Sequence, residues 1–258
     1  MQTLHAGKAV LIGAEKVDFK EFPKNLQVIG CNMTGTDNLP WDFINAKGIK
    51  VISLEGETEF LNEITSTAEH TIGLVIALLR NYKLGFRWPT RERDSSVGHT
   101  VNGKTLGIIG HGRVGKQVER MAIALGMAVR ICEKVHKEEE LNELLKKSDV
   151  VSLHIPLTGN DGFFGKYMFS MMKSAAYFIN TSRLGVVAPE ALLWALKESF
   201  IAGAAVDFIE DKDLLDYERL GFGNLILTNH CGGNTHEDRE KTLNFVKEKV
   251  DEYIRANV

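Results

Sequence analysis

A glycine-rich turn at residues 110–115, which reads Gly-His-Gly-Arg-Val-Gly, constrains the fold of this chain more than any other feature. Three glycines in six residues occur in many turns, so the spacing alone is weak evidence. Here, however, residues 104–109 predict a β-strand before the turn, and residues 116–125 predict a helix after it. In that setting Gly110 permits a tight turn, Gly112 lets the backbone approach a ligand, and Gly115 lets the helix pack closely on the strand. The N–H groups that begin the helix would then face an anion such as a pyrophosphate.

An acidic residue follows the next predicted strand. Glu133 comes directly after the apolar run 128–132, where a carboxylate can accept hydrogen bonds from both ribose hydroxyls of a dinucleotide. The same carboxylate would repel a 2′-phosphate, so the sequence predicts NAD rather than NADP, although Lys134 beside it weakens that preference. The alternative is a purely structural strand-turn-helix with an exposed glutamate.

Short apolar runs rich in β-branched residues alternate with longer amphipathic stretches along the whole chain. The predicted strands are 9–12, 27–31, 50–54, 105–110, 128–132, 150–155, 177–180, 204–207 and 225–228. Strands that alternate with helices predict an α/β fold, and runs that are almost continuously apolar predict parallel strands covered on both faces. We therefore expect a Rossmann-type doubly wound parallel sheet and a second, smaller, flavodoxin-like α/β domain.

The boundary between the two domains is predicted from a change of composition. An apolar helix at 66–80 is followed by residues 82–100, which are rich in Arg, Pro, Gly and Ser and have no clear period. A last helix at 238–256, with Leu243, Val246, Val250 and Ile254 at helical spacing, would fold back onto the first domain. The prediction is an NAD-binding domain at 83–235, with a substrate domain formed by 1–82 and 236–258.

Composition excludes several classes of protein. The chain has 258 residues, 44% of them hydrophobic and 25% charged, and a net charge of −3, which is typical of a globular protein without the basic surface that nucleic acid binding requires. The longest apolar run, 72–79, is far shorter than the roughly 20 residues of a membrane span, and residues 1–14 lack a signal peptide pattern, so we expect a cytoplasmic protein without a membrane partner. Cys31, Cys132 and Cys231 are widely separated, which predicts neither disulfides nor a metal site.

From about residue 9 onward the sequence resembles the D-isomer-specific 2-hydroxyacid dehydrogenases. The motifs that carry the resemblance, besides the glycine turn, are Gly-Thr-Asp-Asn at 35–38, Ser-Thr-Ala-Glu-His-Thr at 66–71, Asp-Val-Val-Ser-Leu-His-Ile-Pro-Leu-Thr at 149–158, Ile-Asn-Thr-Ser-Arg at 179–183, Ala-Gly-Ala-Ala-Val-Asp at 202–207 and Leu-Thr-Asn-His-Cys-Gly-Gly at 227–233. The resemblance implies hydride transfer between NAD(H) and C2 of a small 2-keto or 2-hydroxy acid. It implies that Arg183 binds the substrate carboxylate and carbonyl, and that His230 is the acid/base, roles that suit a planar guanidinium and an imidazole that titrates near neutrality.

The resemblance also implies the remaining site residues. Coenzyme contacts are expected at Gly110, Gly112, Arg113, Val114, Gly115, Glu133, His154, Pro156, Thr158, Thr181, Ser182, Arg183, Asp207, His230, Gly232 and Gly233. His154 could equally be purely structural. The backbone of Met33, Thr34 and Gly35 would bind the substrate carboxylate, unless this segment is a plain strand-to-helix turn.

The sequence departs from the family pattern beside the expected acid/base. The family has a glutamate that hydrogen-bonds the catalytic histidine, and the corresponding position is Lys212, whose charge would disfavour the imidazolium. Glu210, or else Asp211, could reach His230 through a local shift of this loop, and we assign Glu210 first.

Two further departures concern the front of the chain. The sequence begins almost at strand 9–12, so the substrate domain should have a reduced sheet with an exposed edge, which charged residues or a partner would have to cover, and a homodimer is one solution. The loop at 13–15 reads Gly-Ala-Glu and lacks the basic and hydroxyl residues that would bind a phosphorylated substrate.

Two alternatives to the dehydrogenase remain. An NAD(H)-binding regulatory or scaffold protein on the same fold is favoured if no carboxylate reaches His230. A methyltransferase with a Rossmann-like turn explains neither Arg183 nor His230.

Overall fold

The protein is described from a computed structural model that covers residues 1–13, 18–36, 39–87, 97–207, 215–216 and 225–257. The contacts within the chain define two compact units. The first unit contains Met1–Ile64 and Asn234–Val258, and the second contains Thr65–Gly233.

The second unit is built on a six-stranded parallel sheet with the strand order β10-β9-β8-β7-β5-β6. Its strands are β5 (Thr105–Ile109), β6 (Ala128–Cys132), β7 (Val150–Leu153), β8 (Tyr177–Asn180), β9 (Gly203–Val206) and β10 (Leu225–Leu227). Strand order reverses between β5 and β7, which are neighbours in the sheet but not in the chain. In an open α/β sheet, ligands bind outside the carboxyl ends of the strands at such a reversal.

Helices cover both faces of this sheet. The α-helices of this unit for which the structure describes full bounds are α3 (Ser66–Leu79), α4 (Tyr82–Arg87), α5 (Arg113–Ala124), α6 (Glu138–Lys147), α7 (Lys166–Met171) and α8 (Ala191–Lys197). Apolar residues of α3 and α5 pack with one face of the strands, and those of α6, α7 and α8 pack with the other. Two cores on opposite faces of one sheet confirm the doubly wound arrangement that the sequence predicts.

The first unit is a smaller α/β layer structure. Its strands β1 (Gln2–Leu4), β2 (Ala9–Ile12), β3 (Val28–Cys31) and β4 (Lys50–Ser53) lie in the order β1-β2-β3-β4. Helices α2 (Thr58–Leu61) and α9 (His236–Asn257) cover one face, and α1 (Trp41–Lys47) covers the other. A Cβ added to Gly30 of β3 would lie 2.8 Å from Val246 and 2.9 Å from Val250, so the missing side chain is what lets α9 lie on the sheet.

Several predicted boundaries differ from the structure. The edge of β2 is not exposed, because the short strand β1, which the pattern did not predict, pairs with it in antiparallel register. Part of the aperiodic stretch 82–100 is helical, since it contains α4, while 88–96 lie outside the described residues. In α9 the inward face is Thr242, Val246, Val250 and Ile254, whereas Leu243 is 37% exposed.

The limit between the units also differs from the predicted one. The contacts place it after Ile64 and after Gly233, instead of after residues 82 and 235. The physical reason is that α3, assigned from sequence to the first domain, packs its apolar residues with those of α5 and with β8 and β9. No helix among the described residues is long and apolar enough to cross a membrane.

Candidate active site

The predicted site residues of the second unit all follow the carboxyl ends of its strands. The glycine turn follows β5, Glu133 follows β6, His154 follows β7, Arg183 follows β8 by a short loop, and Asp207 follows β9. The segment 228–233 follows β10. Because parallel strands present their carboxyl ends at one edge, the topology brings these residues to the same side of the sheet.

The glycine turn has the geometry that the motif predicts. Gly110 has φ +92°, a left-handed conformation that favours glycine, and a Cβ there would lie 2.5 Å from the carbonyl oxygen of His154. A Cβ on Gly115 would overlap the carbonyl oxygen of Gly110, so the helix could not begin so close to the strand with any other residue. A Cβ on Gly112 would meet none of the described atoms within 4 Å, and Gly112 is the N-cap of α5. Open space in front of a helix N-terminus fits a pyrophosphate.

Glu133 lies beside this turn. Ile109 pairs with Cys132 in the sheet, and the Gly110 N–H donates to the Cys132 carbonyl oxygen at 2.9 Å, so the residues that follow the two strands are neighbours. Glu133 is exposed, as a carboxylate that accepts from ribose hydroxyls must be.

Within the glycine turn, His111 forms a contact that the motif did not predict. Its Nε2 lies 2.7 Å from Oε2 of Glu119, in the second turn of α5, and both side chains are partly buried. The pair ties the turn to the body of the helix that follows it.

His154 lies on the other side of the turn. Its N–H donates to the Ile109 carbonyl oxygen at 2.8 Å, and its Nε2 lies 2.9 Å from Oγ of Ser152. Burial lowers the pKa of His154 to about 4, so its imidazole is neutral at pH 7. Pro156 and Thr158 follow in an exposed loop, where the Asn160 side chain donates to the Pro156 carbonyl oxygen at 2.9 Å.

Arg183 is held by a loop that Asn180 organises. Oδ1 of Asn180 accepts from the backbone N–H of Ser182 at 2.9 Å and from its hydroxyl at 2.8 Å, while the Asn180 amide donates to the Arg183 carbonyl oxygen at 3.0 Å. Nη1 of Arg183 donates to the Ser182 carbonyl oxygen at 3.0 Å. Thr181 is buried, and its hydroxyl lies 2.8 Å from that of Thr71 in α3. The guanidinium is therefore carried by a backbone that is fixed on both sides of Ser182.

Asp207 and the segment after β10 form one hydrogen-bond network. Oδ1 of Asp207 accepts from the Thr228 hydroxyl at 2.6 Å and from the Cys231 N–H at 2.9 Å, and Oδ2 accepts from the Gly232 N–H at 2.8 Å. His230, between these residues, has φ 45° and is exposed. Nε2 of His70, in α3, lies 3.1 Å from the Thr228 hydroxyl oxygen.

His70, Asp207 and Cys231 each place one possible ligand atom within 4.8 Å of the others. The carboxylate oxygens of Asp207, however, already accept from one hydroxyl and two backbone N–H groups. Burial and the Asp207 charge raise the pKa of the Cys231 thiol, which keeps it protonated. The arrangement is better described as a hydrogen-bond network than as a cation site.

The remaining residues singled out from the sequence belong to two segments, 210–212 and 33–35. Glu210, Asp211 and Lys212 lie outside the described residues. Met33, Thr34 and Gly35 follow β3 in the first unit, where the Met33 carbonyl oxygen accepts from the Leu54 N–H at 3.1 Å.

Sequence reasoning missed the roles of His70, Thr228, His111 and Glu119. The first two lie within motifs that carried the resemblance, but a motif does not say which residue contacts which. His111 and Glu119 are eight positions apart, a spacing for which no helix or strand pattern predicts contact.

The fold and the glycine turn together define the class of protein as a Rossmann-type dinucleotide-binding protein. Residues 72–232 match the family model described as "D-isomer specific 2-hydroxyacid dehydrogenase, NAD binding domain". The chain is 32% identical over 273 residues to a glyoxylate reductase of Thermococcus litoralis, covering 96% of this chain and 81% of that protein. It is 32% identical over 256 residues to a D-3-phosphoglycerate dehydrogenase of Methanocaldococcus jannaschii, covering 93% of this chain and 48% of that protein.

Solved structures agree with these matches. The D-lactate dehydrogenase of Aquifex aeolicus, solved with NAD and lactic acid, superposes with a TM-score of 0.76 at 25% identity, covering 97% of this chain and 84% of that one. The chain belongs to the D-isomer specific 2-hydroxyacid dehydrogenase family. It spans about half the length of the curated phosphoglycerate dehydrogenases and about four fifths of the length of the glyoxylate reductase.

Proposed function

We propose that the chain is an NAD-dependent 2-hydroxyacid dehydrogenase, which acts as a 2-ketoacid reductase in the opposite direction and uses the D-isomer. The observation that carries the proposal is the placement of Arg183, Asp207 and the His230 turn after three adjacent strands, β8, β9 and β10, at the sheet edge where the glycine turn begins α5. A cation and a titratable imidazole at one edge are what the reduction of a charged ketoacid requires, because negative charge develops on the carbonyl oxygen.

The coenzyme, Arg183 and His230 would each have a separate part in the reaction. Bound NADH supplies the hydride that adds to C2 of the ketoacid. Arg183 binds the substrate carboxylate and the carbonyl oxygen with its planar pair of N–H donors. His230 donates a proton to that oxygen during reduction and accepts it back from the hydroxyl during oxidation.

The coenzyme site that we propose uses the remaining predicted residues. The glycine turn with Arg113 and Val114 would hold the pyrophosphate at the start of α5. Glu133 would accept from the ribose hydroxyls and favour NAD over NADP. The nicotinamide end would lie near Thr181, Ser182, Asp207, Gly232 and Gly233, with further contacts from His154, Pro156 and Thr158.

The first unit would bind the carboxylate of a small 2-keto acid through the backbone of Met33, Thr34 and Gly35, and the second unit would bind NAD. An unphosphorylated substrate such as glyoxylate, hydroxypyruvate or pyruvate is supported by the Gly-Ala-Glu sequence at 13–15 and by the similarity to a glyoxylate reductase. We also propose a homodimer in the cytoplasm.

Lys212 supports a second candidate function, that of an NAD(H)-binding regulatory or scaffold protein with weak or no turnover. A lysine at the position where the family has a glutamate would disfavour protonation of His230 unless Glu210 or Asp211 compensates.

The deciding experiment follows NADH and NADPH absorbance with glyoxylate, hydroxypyruvate, pyruvate and bulkier 2-keto acids. The proposal predicts turnover on at least one of them with NADH preferred, and loss of that turnover in His230→Gln. NADH binding by fluorescence titration without turnover on any ketoacid would contradict the dehydrogenase and support the regulatory protein.

A further inference from the structure

The residues on both sides of His230 are hydrogen-bonded to a single carboxylate. Asp207, which is 1% exposed, accepts from the Thr228 side chain before His230 and from the backbone N–H groups of Cys231 and Gly232 after it. His230 itself has φ 45°, a left-handed conformation that is energetically unfavourable for any residue other than glycine. Such a conformation persists only where the surrounding contacts determine it, and here those contacts converge on Asp207.

The direction of the hydrogen bonds in this network follows from the charge of Asp207. Burial alone would raise the pKa of Asp207, but His70, the Thr228 hydroxyl and the two backbone N–H groups outweigh burial and hold this pKa well below its usual range. An ionised carboxylate can only accept, so the Thr228 hydroxyl donates to it. The Thr228 oxygen is then left to accept a proton from Nε2 of His70, 3.1 Å away.

His70 is well placed to serve as the fixed end of this chain of hydrogen bonds. It belongs to the 14-residue helix α3, where the adjacent Thr71 is fully buried and donates to the Thr67 carbonyl oxygen at 2.8 Å. Nε2 of His70 also lies 3.5 Å from Oδ1 of Asp207. Helix α3 packs with β8 and β9, so it gives His70 a rigid support, whereas the segment after β10 has no regular secondary structure from residue 228 to residue 233.

We propose that His70 is a positioning residue that fixes the turn bearing His230, through the hydrogen-bond sequence His70 Nε2–H to Thr228 O–H to Asp207. The proposal rests on the proposed function in one respect, namely that His230 is the acid/base. It assigns to α3 a part in catalysis without contact with substrate or coenzyme. This hydrogen-bond sequence would orient His230 whichever residue occupies position 212.

The test compares His70→Leu, which removes the donor, with His70→Gln, whose amide N–H reaches about where Nε2 lies. At saturating NADH and ketoacid, we expect His70→Leu to lower kcat at least tenfold, because misplacement of a reacting group by about 1 Å can cost 10²-fold in rate. The Kd of NADH should stay within threefold, and His70→Gln should recover most of kcat. Thr228→Val should lower kcat similarly, and the double variant His70→Leu/Thr228→Val should be no slower than the slower single variant.

Hydrogen exchange of the Cys231 and Gly232 amides provides a readout that does not require turnover. The exchange should accelerate in His70→Leu and return towards the wild-type rate in His70→Gln. Ser148→Ala is the control for general destabilisation, because it removes a buried hydrogen bond of the same unit, from the Ser148 hydroxyl to the Leu144 carbonyl oxygen at 2.7 Å, at a residue that does not contact this turn.

The outcomes separate the two proposals. A folded His70→Leu variant with unchanged exchange at Cys231 and Gly232 overturns the positioning role, whether or not the wild type turns over. Absence of wild-type turnover overturns the proposed function. Accelerated exchange of the Cys231 and Gly232 amides in His70→Leu would in that case still support the positioning role of His70. A fall of kcat in Ser148→Ala as large as that in His70→Leu would mean that general destabilisation explains the effect, and would overturn the specific role.

Discussion

Arg183 combines a fixed backbone with a side chain whose shape matters for its proposed task. Its carbonyl oxygen accepts from the Asn180 amide, and the preceding Ser182 is bonded twice to Asn180. A guanidinium on such a support can present two parallel N–H donors to a carboxylate, which an ammonium cannot do.

Replacing Arg183 with Lys is therefore expected to lower kcat/KM for the best ketoacid roughly 10- to 100-fold, since one charge-assisted hydrogen bond contributes about 1.5–3 kcal/mol. Steady-state kinetics with NADH measures this. Arg130→Lys is the control, because Arg130 is exposed and its 3.6 Å ion pair with Glu143 lies on the surface. If Arg183→Lys retains full kcat/KM, the bidentate role is wrong.

The contact between His111 and Glu119 leads to a second prediction at the scale of single residues. The pair holds the glycine turn against α5, so breaking it should make the turn less ordered before coenzyme binds. His111→Leu and Glu119→Gln should each raise the Kd of NADH about two- to fivefold, as expected for a partly buried pair worth about 0.5–1 kcal/mol, and kcat at saturating NADH should not change.

Fluorescence titration of both single variants and the double variant checks this, because a double-mutant cycle isolates the interaction of the two side chains. The double variant should bind NADH no more weakly than the weaker single variant. Effects that multiply in the double variant would show that the two residues act independently.

Among the secondary structure elements, the contact between β3 and α9 depends on one missing side chain. A methyl group at Gly30 would approach Leu11, Val246 and Val250 to within 2.6–2.9 Å, and β3 lies inside its sheet, so the strand has little room to move. Gly30→Ala should lower the free energy of unfolding of the first unit by about 1–3 kcal/mol, the usual cost of overpacking.

Urea denaturation monitored by circular dichroism measures the change. Gly73→Ala is the opposite control, because a Cβ on Gly73 meets none of the described atoms within 4 Å and the residue is exposed in α3. It should stabilise the protein by up to about 1 kcal/mol, since alanine is the better helix former. Equal stability of wild type and Gly30→Ala would show that α9 adjusts its position without cost.

The elements also show what could be predicted from sequence. The strand at residues 9–12 was found because Val, Leu and Ile follow one another in it, and all four of its residues are buried. The strand β1 was missed because Gln2–Leu4 has only three residues and an exposed face, too short for an alternating pattern. The role of Asp207 in holding the His230 turn could not be read from sequence, since it depends on how β9 and β10 are paired.

At the scale of the whole molecule, the free energy of unfolding should depend on pH through His154. His154 has a pKa of about 4 in the folded protein, against an ordinary value near 6.5 in the unfolded chain. Between these values the unfolded state binds a proton that the folded state does not, so the stability contribution present above pH 6.5 is lost progressively as the pH falls towards 4.

The free energy of unfolding of the second unit should therefore decrease by about 1–2 kcal/mol from pH 6.5 to pH 5 through this residue. Urea denaturation at several pH values measures the slope, which should be smaller in His154→Gln. His136→Gln, at an exposed histidine, should keep the wild-type slope. An unchanged slope in His154→Gln would mean that other groups carry the pH dependence.

The first unit is assembled from two distant parts of the chain, and this has a consequence for synthesis on the ribosome. Domains generally fold as units while the chain is made from its N-terminus. The core of the first unit includes Val246, Val250 and Ile254 of α9, so strands β1 to β4 emerge early but cannot complete their core until α9 has been translated. The second unit, continuous from Thr65 to Gly233, can complete its own sheet during that wait. The unit whose strands are made first is thus the unit that finishes folding last, and it is the part that a nascent-chain chaperone would have to protect.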